Sequence, residues 1–206
     1  MVIRCTPSHL HGKIQVNTED ISNTFLLCAG ALSKEGVTLS GLKTDGMTEK
    51  VLNTLQYMGA NVSKDNENIT VSRNRLFGMS ANVNGDEMMF AVYCALASVC
   101  EKGFTQITGL RTLKSETVNL AVKTLSKLRV ACSFDDEDEL IIWGGNEIIG
   151  GTADAEGNSY FALALTLLSC EARLPVDIHN AGSIESEFPD FIKNFNLLNG
   201  KFETIK

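Results

Sequence analysis

The 206-residue chain has only three prolines and one tryptophan, and its six cysteines form no Cys-x-x-Cys pair. With so few prolines there is no proline-rich spacer to divide the chain into separate bodies. The missing Cys-x-x-Cys removes the usual ligand spacing of structural zinc and of dithiol redox motifs. Nowhere do 18 apolar residues run together, so no membrane-spanning helix is expected. Basic charge is short as well: 18 Lys and Arg stand against 25 Asp and Glu, a formal charge of -7. A nucleic-acid binder would carry a basic face, so no nucleic-acid partner is expected. Met1 to Gly12 lacks an apolar signal core, and the expected setting is cytoplasmic.

What is present is ordinary for a globular protein: 44% hydrophobic and 21% charged residues, with a mean hydropathy of +0.02. Cys28, Cys94, Cys100 and Cys170 fall in apolar helical runs, where a reduced cysteine behaves as a small hydrophobe. The longest charge run, Asp135 to Glu139, is acidic and reads as a solvated turn.

The chain repeats itself. Each copy has an apolar helix, a turn, a strand, a second helix and a closing strand or hairpin. The first copy opens on a helix from Ile21 to Leu32, turns at Gly36, and continues with a strand from Val37 to Ser40. Its second helix runs from Thr48 to Met58 with Val51, Leu52 and Leu55 at helical spacing. A hairpin, Asn61-Val62 against Ile69 to Val71, closes it. The second copy has a helix from Met88 to Cys100 and a strand from Phe104 to Thr108. A helix over about Glu116 to Leu128 and a hairpin of 130–134 with 140–143 complete it. The third has a helix from Tyr160 to Cys170, a strand from Val176 to His179, a helix from Phe188 to Phe195 with Pro189 near its start, and a closing strand from Lys201 to Ile205. Gly-Val-Thr-Leu-Ser-Gly-Leu at 36–42 parallels Gly-Phe-Thr-Gln-Ile-Thr-Gly-Leu at 103–110. First helices that are apolar nearly all round belong inside. The expected fold is α/β, or α+β by some schemes: a single domain over 1–206 with repeats of about 12–75, 76–147 and 148–206.

Individual residues carry two readings each. Glu116 is a proton-transfer carboxylate or a solvated helix-start acid. Asp86 is a general base or the N-cap of the second copy's first helix. Ser22 and Asn23 hold a phosphate at a helix start or cap that helix. His9 and His11 alternate on a strand and face one side, which would suit a metal had a third ligand been near. Gly144-Gly145 and Gly150-Gly151 read as turns.

At this point the chain resembles the 5-enolpyruvylshikimate-3-phosphate synthase family. Pro7 to Val16 looks like that family's opening strand. Asp20-Ile-Ser22 followed by Phe25 to Leu32 looks like its Gly-Asp-Ile-Ser-Ser helix start, and Ile21-Ser-Asn23 also looks like its N-terminal Lys-Ser-Ile-Ser-Asn-Arg. Thr105 to Leu110 with Ser115-Glu-Thr117 is similar to its strand and Lys-Glu-Ser/Thr-Asp-Arg motif. Leu140 to Gly144, Ala162-Leu-Ala164 and Glu187 to Phe191 follow in the family's order. The resemblance implies an inside-out α/β barrel of the enolpyruvyl transferase type, here one of the two domains such proteins have. It implies phosphoenolpyruvate and shikimate 3-phosphate as ligands, no cofactor and no metal. It also implies a partner, either a second domain-like chain or another copy. On this reading Glu116 and Asp86 carry catalysis, and Ser22, Asn23 and Lys114 bind substrate.

Position by position the motif is thinned. Glu116 and Thr117 match, but Ser115 stands where the lysine belongs, Val118 where the aspartate does and Asn119 where the arginine does. Lys114 is one residue early, about 100° around a helix. The Asp-His-Arg motif reads Asn158-Ser159-Tyr160, and the lysine before Phe-Pro reads Ser186. The aspartate opening the second repeat reads as Met88 or Met89, with Asp86 displaced. In the Ile21-Ser-Asn23 alternative, Glu19 and Thr24 replace a lysine and an arginine. Each lost charge-assisted bond is worth about 1.5–3 kcal/mol, so two polyanions lose most of their grip. The expectation is a kept scaffold without autonomous chemistry.

Overall fold

The computed structural model describes residues 1–17, 20–135 and 137–205. Glu19, and Asp136 of the acidic run, lie outside the described residues. The first part of the chain comprises β1 (Val2–Thr6), β2 (Gly12–Gln15), α1 (Asn23–Gly30), β3 (Val37–Ser40), α2 (Gly46–Tyr57), β4 (Asn61–Asp65) and β5 (Asn68–Ser72). The second comprises β6 (Ser80–Asn82), α3 (Glu87–Ser98), β7 (Phe104–Thr108), α4 (Ser115–Lys127), β8 (Cys132–Phe134) and β9 (Leu140–Trp143). The third comprises β10 (Gly151–Asp154), α5 (Ser159–Cys170), β11 (Val176–His179), α6 (Gly182–Glu187), α7 (Phe191–Leu197) and β12 (Lys201–Ile205).

The strands form three separate four-stranded sheets, ordered β2-β3-β5-β4, β6-β7-β9-β8 and β10-β11-β1-β12. In each, the first two strands are parallel and joined through a helix, and the remaining strands continue antiparallel. In the third sheet β1 takes the place that β5 and β9 hold in the others, pairing with β11 on one side and β12 on the other. The architecture is mixed α/β with three helices, α1, α3 and α5, inside and the sheets and amphipathic helices around them, and among the described residues the strands close into no barrel.

The central helices α1, α3 and α5 contact one another. All eight residues of α1 are buried, as are nearly all of α3 and α5, which is what an all-round apolar sequence requires. Each buries a phenylalanine near its start: Phe25, Phe90 and Phe161. Their few hydroxyls turn back on their own helices. Ser98 donates to the Cys94 carbonyl and Thr166 to that of Leu163, each at 2.6 Å, so burial leaves them satisfied. The outer helices α2 and α4 are amphipathic and bury one stripe, Val51, Leu52 and Leu55 in α2 and Val118, Leu120, Ala121 and Leu125 in α4.

Four expectations need correcting. The stretch from Pro7 to Val16 is not one strand: β1 ends at Thr6, and residues 7–11 cross from the third sheet to the first. His9 and His11 therefore sit in a connection, where His11 Nδ1 lies 3.1 Å from the His9 carbonyl oxygen and Asn199 Nδ2 lies 2.8 Å from His11 Nε2. Gly151 does not stay in a turn but begins β10, beside β11. The expected helix from Phe188 to Phe195 is split, with Pro189 in the turn between α6 and α7, because proline removes a backbone donor and disfavours helical geometry in the residue before it.

Candidate functional site

The central helices start together. Thr24 Oγ1 of α1 approaches Met88 Sδ of α3 at 3.8 Å. Tyr160 of α5 feels the charges of Asp86 and Glu87 at the α3 start. The strand-to-helix turns that deliver these starts lie at the same end of the three sheets, so one face of the body is built from helix N-termini and the loops around them.

Each start is held by local chemistry. Asp86 Oδ1 accepts from the Met89 amide at 2.9 Å, and Asn158 Oδ1 accepts from the Phe161 amide at 2.9 Å. These are N-caps, worth about 1 kcal/mol each. Asp45 caps α2 by accepting from the Thr48 amide, which holds its carboxyl below the usual range. At α1 the pattern differs. Ser22 occupies the N-cap position without a side-chain cap bond, and its amide donates to Asp20 Oδ1 at 2.9 Å. Asn23 Nδ2 donates to the Asn17 carbonyl at 2.6 Å. Ser22 Oγ and Asn23 Oδ1 have no hydrogen-bond partner among the described residues, and both residues are 1% exposed.

The five residues singled out from the sequence thus fall into distinct places. Ser22 and Asn23 are buried beneath the face. Asp86 is on it, capping α3 and receiving Lys50 Nζ at 2.9 Å from its other oxygen. Lys114 occupies the N-cap position of α4 with extended backbone and no side-chain cap bond, next to the exposed Glu116. Thr117 lies buried behind them and donates to Glu87 Oε1 at 3.4 Å, tying the starts of α4 and α3. Ser115, Val118 and Asn119 line a 330 Å³ cavity. Arg111, also on its wall, is paired with Glu137 at 2.6 Å.

Sequence reasoning missed Tyr160, Glu87, Glu187 and Lys50. Burial pushes the Tyr160 phenol up, and the carboxylates of Glu187, Asp86 and Glu87 push it the same way. A hydroxyl among three carboxylates repels rather than gathers anions. Lys50 comes from α2, 36 positions before its partner, so nothing local in the sequence marks it. Among the described residues no group of three or more His, Cys, Asp or Glu side chains is arranged to hold a metal ion.

The profile of EPSP synthase (3-phosphoshikimate 1-carboxyvinyltransferase) matches residues 1–195. The chain belongs to the EPSP synthase family. Among curated relatives, the 3-phosphoshikimate 1-carboxyvinyltransferase of Clostridium kluyveri is 29% identical over 184 residues, covering 87% of this chain and 42% of that protein. That of Natronomonas pharaonis is 28% identical over 199 residues, 94% of this chain and 45% of that protein. In fold the chain resembles an EPSP synthase from Acinetobacter baumannii, with a TM-score of 0.74 at 20% identity, covering 90% of this chain and 46% of the other. The chain therefore has the fold of one EPSP synthase domain and spans less than half the length of these relatives. Among the described residues no helix is long and apolar enough to cross a membrane.

Proposed function

We propose that this chain is one half of an enolpyruvyl transferase site of the 3-phosphoshikimate 1-carboxyvinyltransferase type, without turnover of its own. The reaction of that type moves the enolpyruvyl group of phosphoenolpyruvate to the 5-hydroxyl of shikimate 3-phosphate. It needs cations to seat two anions, and a proton donor and acceptor. The single observation behind the reading is the charge of the helix-start face. Tyr160 stands where the family's arginine belongs and lies among Glu187, Asp86 and Glu87, and Lys50 is already bound to Asp86. A second domain-sized body bringing lysines and arginines would complete the pair of walls. Glu116 and Asp86 would then be the proton-transfer candidates, and Lys114, Ser22 and Asn23 the substrate-side ones, with the last two reached only if the α1 start opens. A cytoplasmic setting accompanies this proposal.

The same charge favours a second reading, a non-catalytic assembly module that keeps the fold and uses the face to dock a partner. Phosphate release from phosphoenolpyruvate and shikimate 3-phosphate by the purified chain separates the two from an autonomous enzyme. We expect turnover below about 0.1 per second, two orders under the median enzyme of about 10 per second. Faster release would overturn the proposal. A rise in melting temperature with both ligands present favours the half-site over the docking module, since a ligand of the native state stabilises it.

A further inference from the structure

The two ends of the body carry opposite charge. The helix-start end comprises residues 20–22, 41–50, 64–68, 83–88, 109–116, 135–139, 154–160 and 180–187. Its described residues hold sixteen carboxylates and five lysines or arginines, and Lys123 of α4 reaches in to Glu156. The helix-finish end comprises residues 7–13, 31–37, 57–61, 72–80, 99–104, 127–132, 143–151, 171–176 and 197–201. It holds nine lysines or arginines and four carboxylates. Two of those four carboxylates are paired, Glu171 by Arg73 and Glu147 by Arg173, and Glu35 lies 3.9 Å from His11 Nδ1. Arg75, Lys102, Lys127 and Arg129 make no ion pair among the described residues.

The exposed large apolar side chains are segregated too. Tyr57, Phe77, Phe104, Trp143, Leu174 and Leu197 all belong to the helix-finish end, and among the described residues only Met1 of the seven such side chains lies elsewhere. Phe104 and Trp143 are directly opposed across β7 and β9, and Phe77 bridges to Lys102 two positions before Phe104. Single exposed apolar residues are normal on a surface, but aromatics gathered at one rim among unpaired cations have the composition of an interface.

We propose that this basic, aromatic rim docks on the acidic helix-start face of a second copy of the same chain, head to tail. The charge pattern selects this arrangement over the alternatives. Two helix-start faces brought together would oppose carboxylate to carboxylate, and two helix-finish ends would oppose cation to cation. Like charges across a contact cost several kcal/mol. Start against finish pairs opposite signs and covers the exposed rings in the same step. Such a contact is heterologous, so copies add in series until a ring closes or the chain of subunits ends. The inference shares with the proposed function only the premise that the helix-start face is an interface. Phosphate release reports on the chemistry and leaves the assembly question untouched.

The test is sedimentation velocity or light scattering on the purified chain at ionic strengths of about 0.01 M and about 1 M, where charges act over about 30 Å and about 3 Å. At low ionic strength the mass should exceed the 22.4 kDa of one chain and grow with concentration, and at high ionic strength it should fall toward one chain. Two double variants, Arg75→Glu with Lys102→Glu and Glu67→Lys with Glu187→Lys, alter exposed side chains. Each alone should be monomeric, and an equimolar mixture of the two should associate again. A native chain that is monomeric at both ionic strengths would sink the proposal. So would a mixture that stays monomeric. An assembly untouched by the Glu67 and Glu187 changes would overturn it as well, because it would point to a twofold contact that does not use the helix-start face.

Discussion

Asp86 joins two helices: its Oδ2 receives Lys50 Nζ from α2 at 2.9 Å, while its Oδ1 caps α3 through the Met89 amide at 2.9 Å. The carboxylate that the family resemblance nominated as a base is thus engaged at both oxygens by structural partners.

Replacing Asp86 with alanine should lower stability by about 1–2 kcal/mol, mostly through the lost cap. Removing Lys50 should cost only about 0.5 kcal/mol, because the pair is partly exposed and such pairs are weak. Asp86→Asn keeps a capping oxygen and should cost far less than Asp86→Ala. Urea midpoints of the three variants decide this, and equal losses for the Asn and Ala changes would show that the cap is not the source.

Restoring the family's motif aspartate by Val118→Asp should be costly. Val118 is 3% exposed and lies in the buried stripe of α4. An unpaired carboxyl there should cost about 3 kcal/mol or more, whereas Ser115→Lys, at an exposed position, should change stability by less than about 0.5 kcal/mol. Thermal unfolding of the two single variants checks the contrast.

Gly30→Ala sets two effects against each other. Alanine is favoured over glycine by about 1 kcal/mol inside a helix, and by less at Gly30, the last residue of α1. The added Cβ would stand 2.7 Å from the Val71 carbonyl oxygen and 2.9 Å from Val71 Cβ, and overpacking of this kind costs about 1–3 kcal/mol. The clash involves backbone as well as side chain, so we expect net destabilisation. A higher melting temperature in the variant would mean that α1 and β5 separate easily.

Acid should weaken the fold through Asp177. The Arg4 guanidinium donates to both its oxygens at 2.8 Å and holds its carboxyl below the usual range. A folded value below the unfolded one of about 3.9 gives stability that is present above that value and is lost as pH falls through the folded one. Asp138 adds in the same direction, held low by the amides of Arg111 and Gly109. The urea midpoint should therefore drop below about pH 4, and Asp177→Asn should flatten that slope.

Thiol reactivity should single out Cys132, which is partly exposed while the other five are buried. Burial raises Cys100 and Cys170 to about 12, and Cys5, Cys28 and Cys94 higher still. Only thiolate reacts, so a disulfide reagent should find one fast site in the native protein and the remainder after unfolding. Several fast sites would mean that the central helices open readily.

The central helices were legible in the sequence because an element buried on every side must be apolar on every side. Their partner strands β3, β7 and β11 alternate and were equally plain. The short edge strands β6 and β10 were not, since Ser80-Ala-Asn82 and Gly151 to Asp154 have too few residues to show a period. The α6–α7 break was hidden because Phe188, Phe191 and Phe195 keep helical spacing across a proline. At the candidate site, the residue types could be read from motif positions, but not their burial. Ser22 and Asn23 look like surface caps in one dimension and are 1% exposed in three. The Lys50–Asp86 pair joins the first repeat to the second, and the charges of Asp86 and Glu87 reach Tyr160 from the second repeat to the third.

The placement of β1 between β11 and β12 governs how the molecule must assemble. Arg4 lies opposite both Asp177 and Glu203, whereas Thr38 pairs with Thr70 inside the first sheet. Closing the longer loop costs about 1.6 kcal/mol more in chain entropy. The third sheet should therefore be the slowest to form and the first to come apart under strain, and a force applied to the two chain ends would unzip β1 from β12, starting at Val2 and Ile205, before it reached the helices.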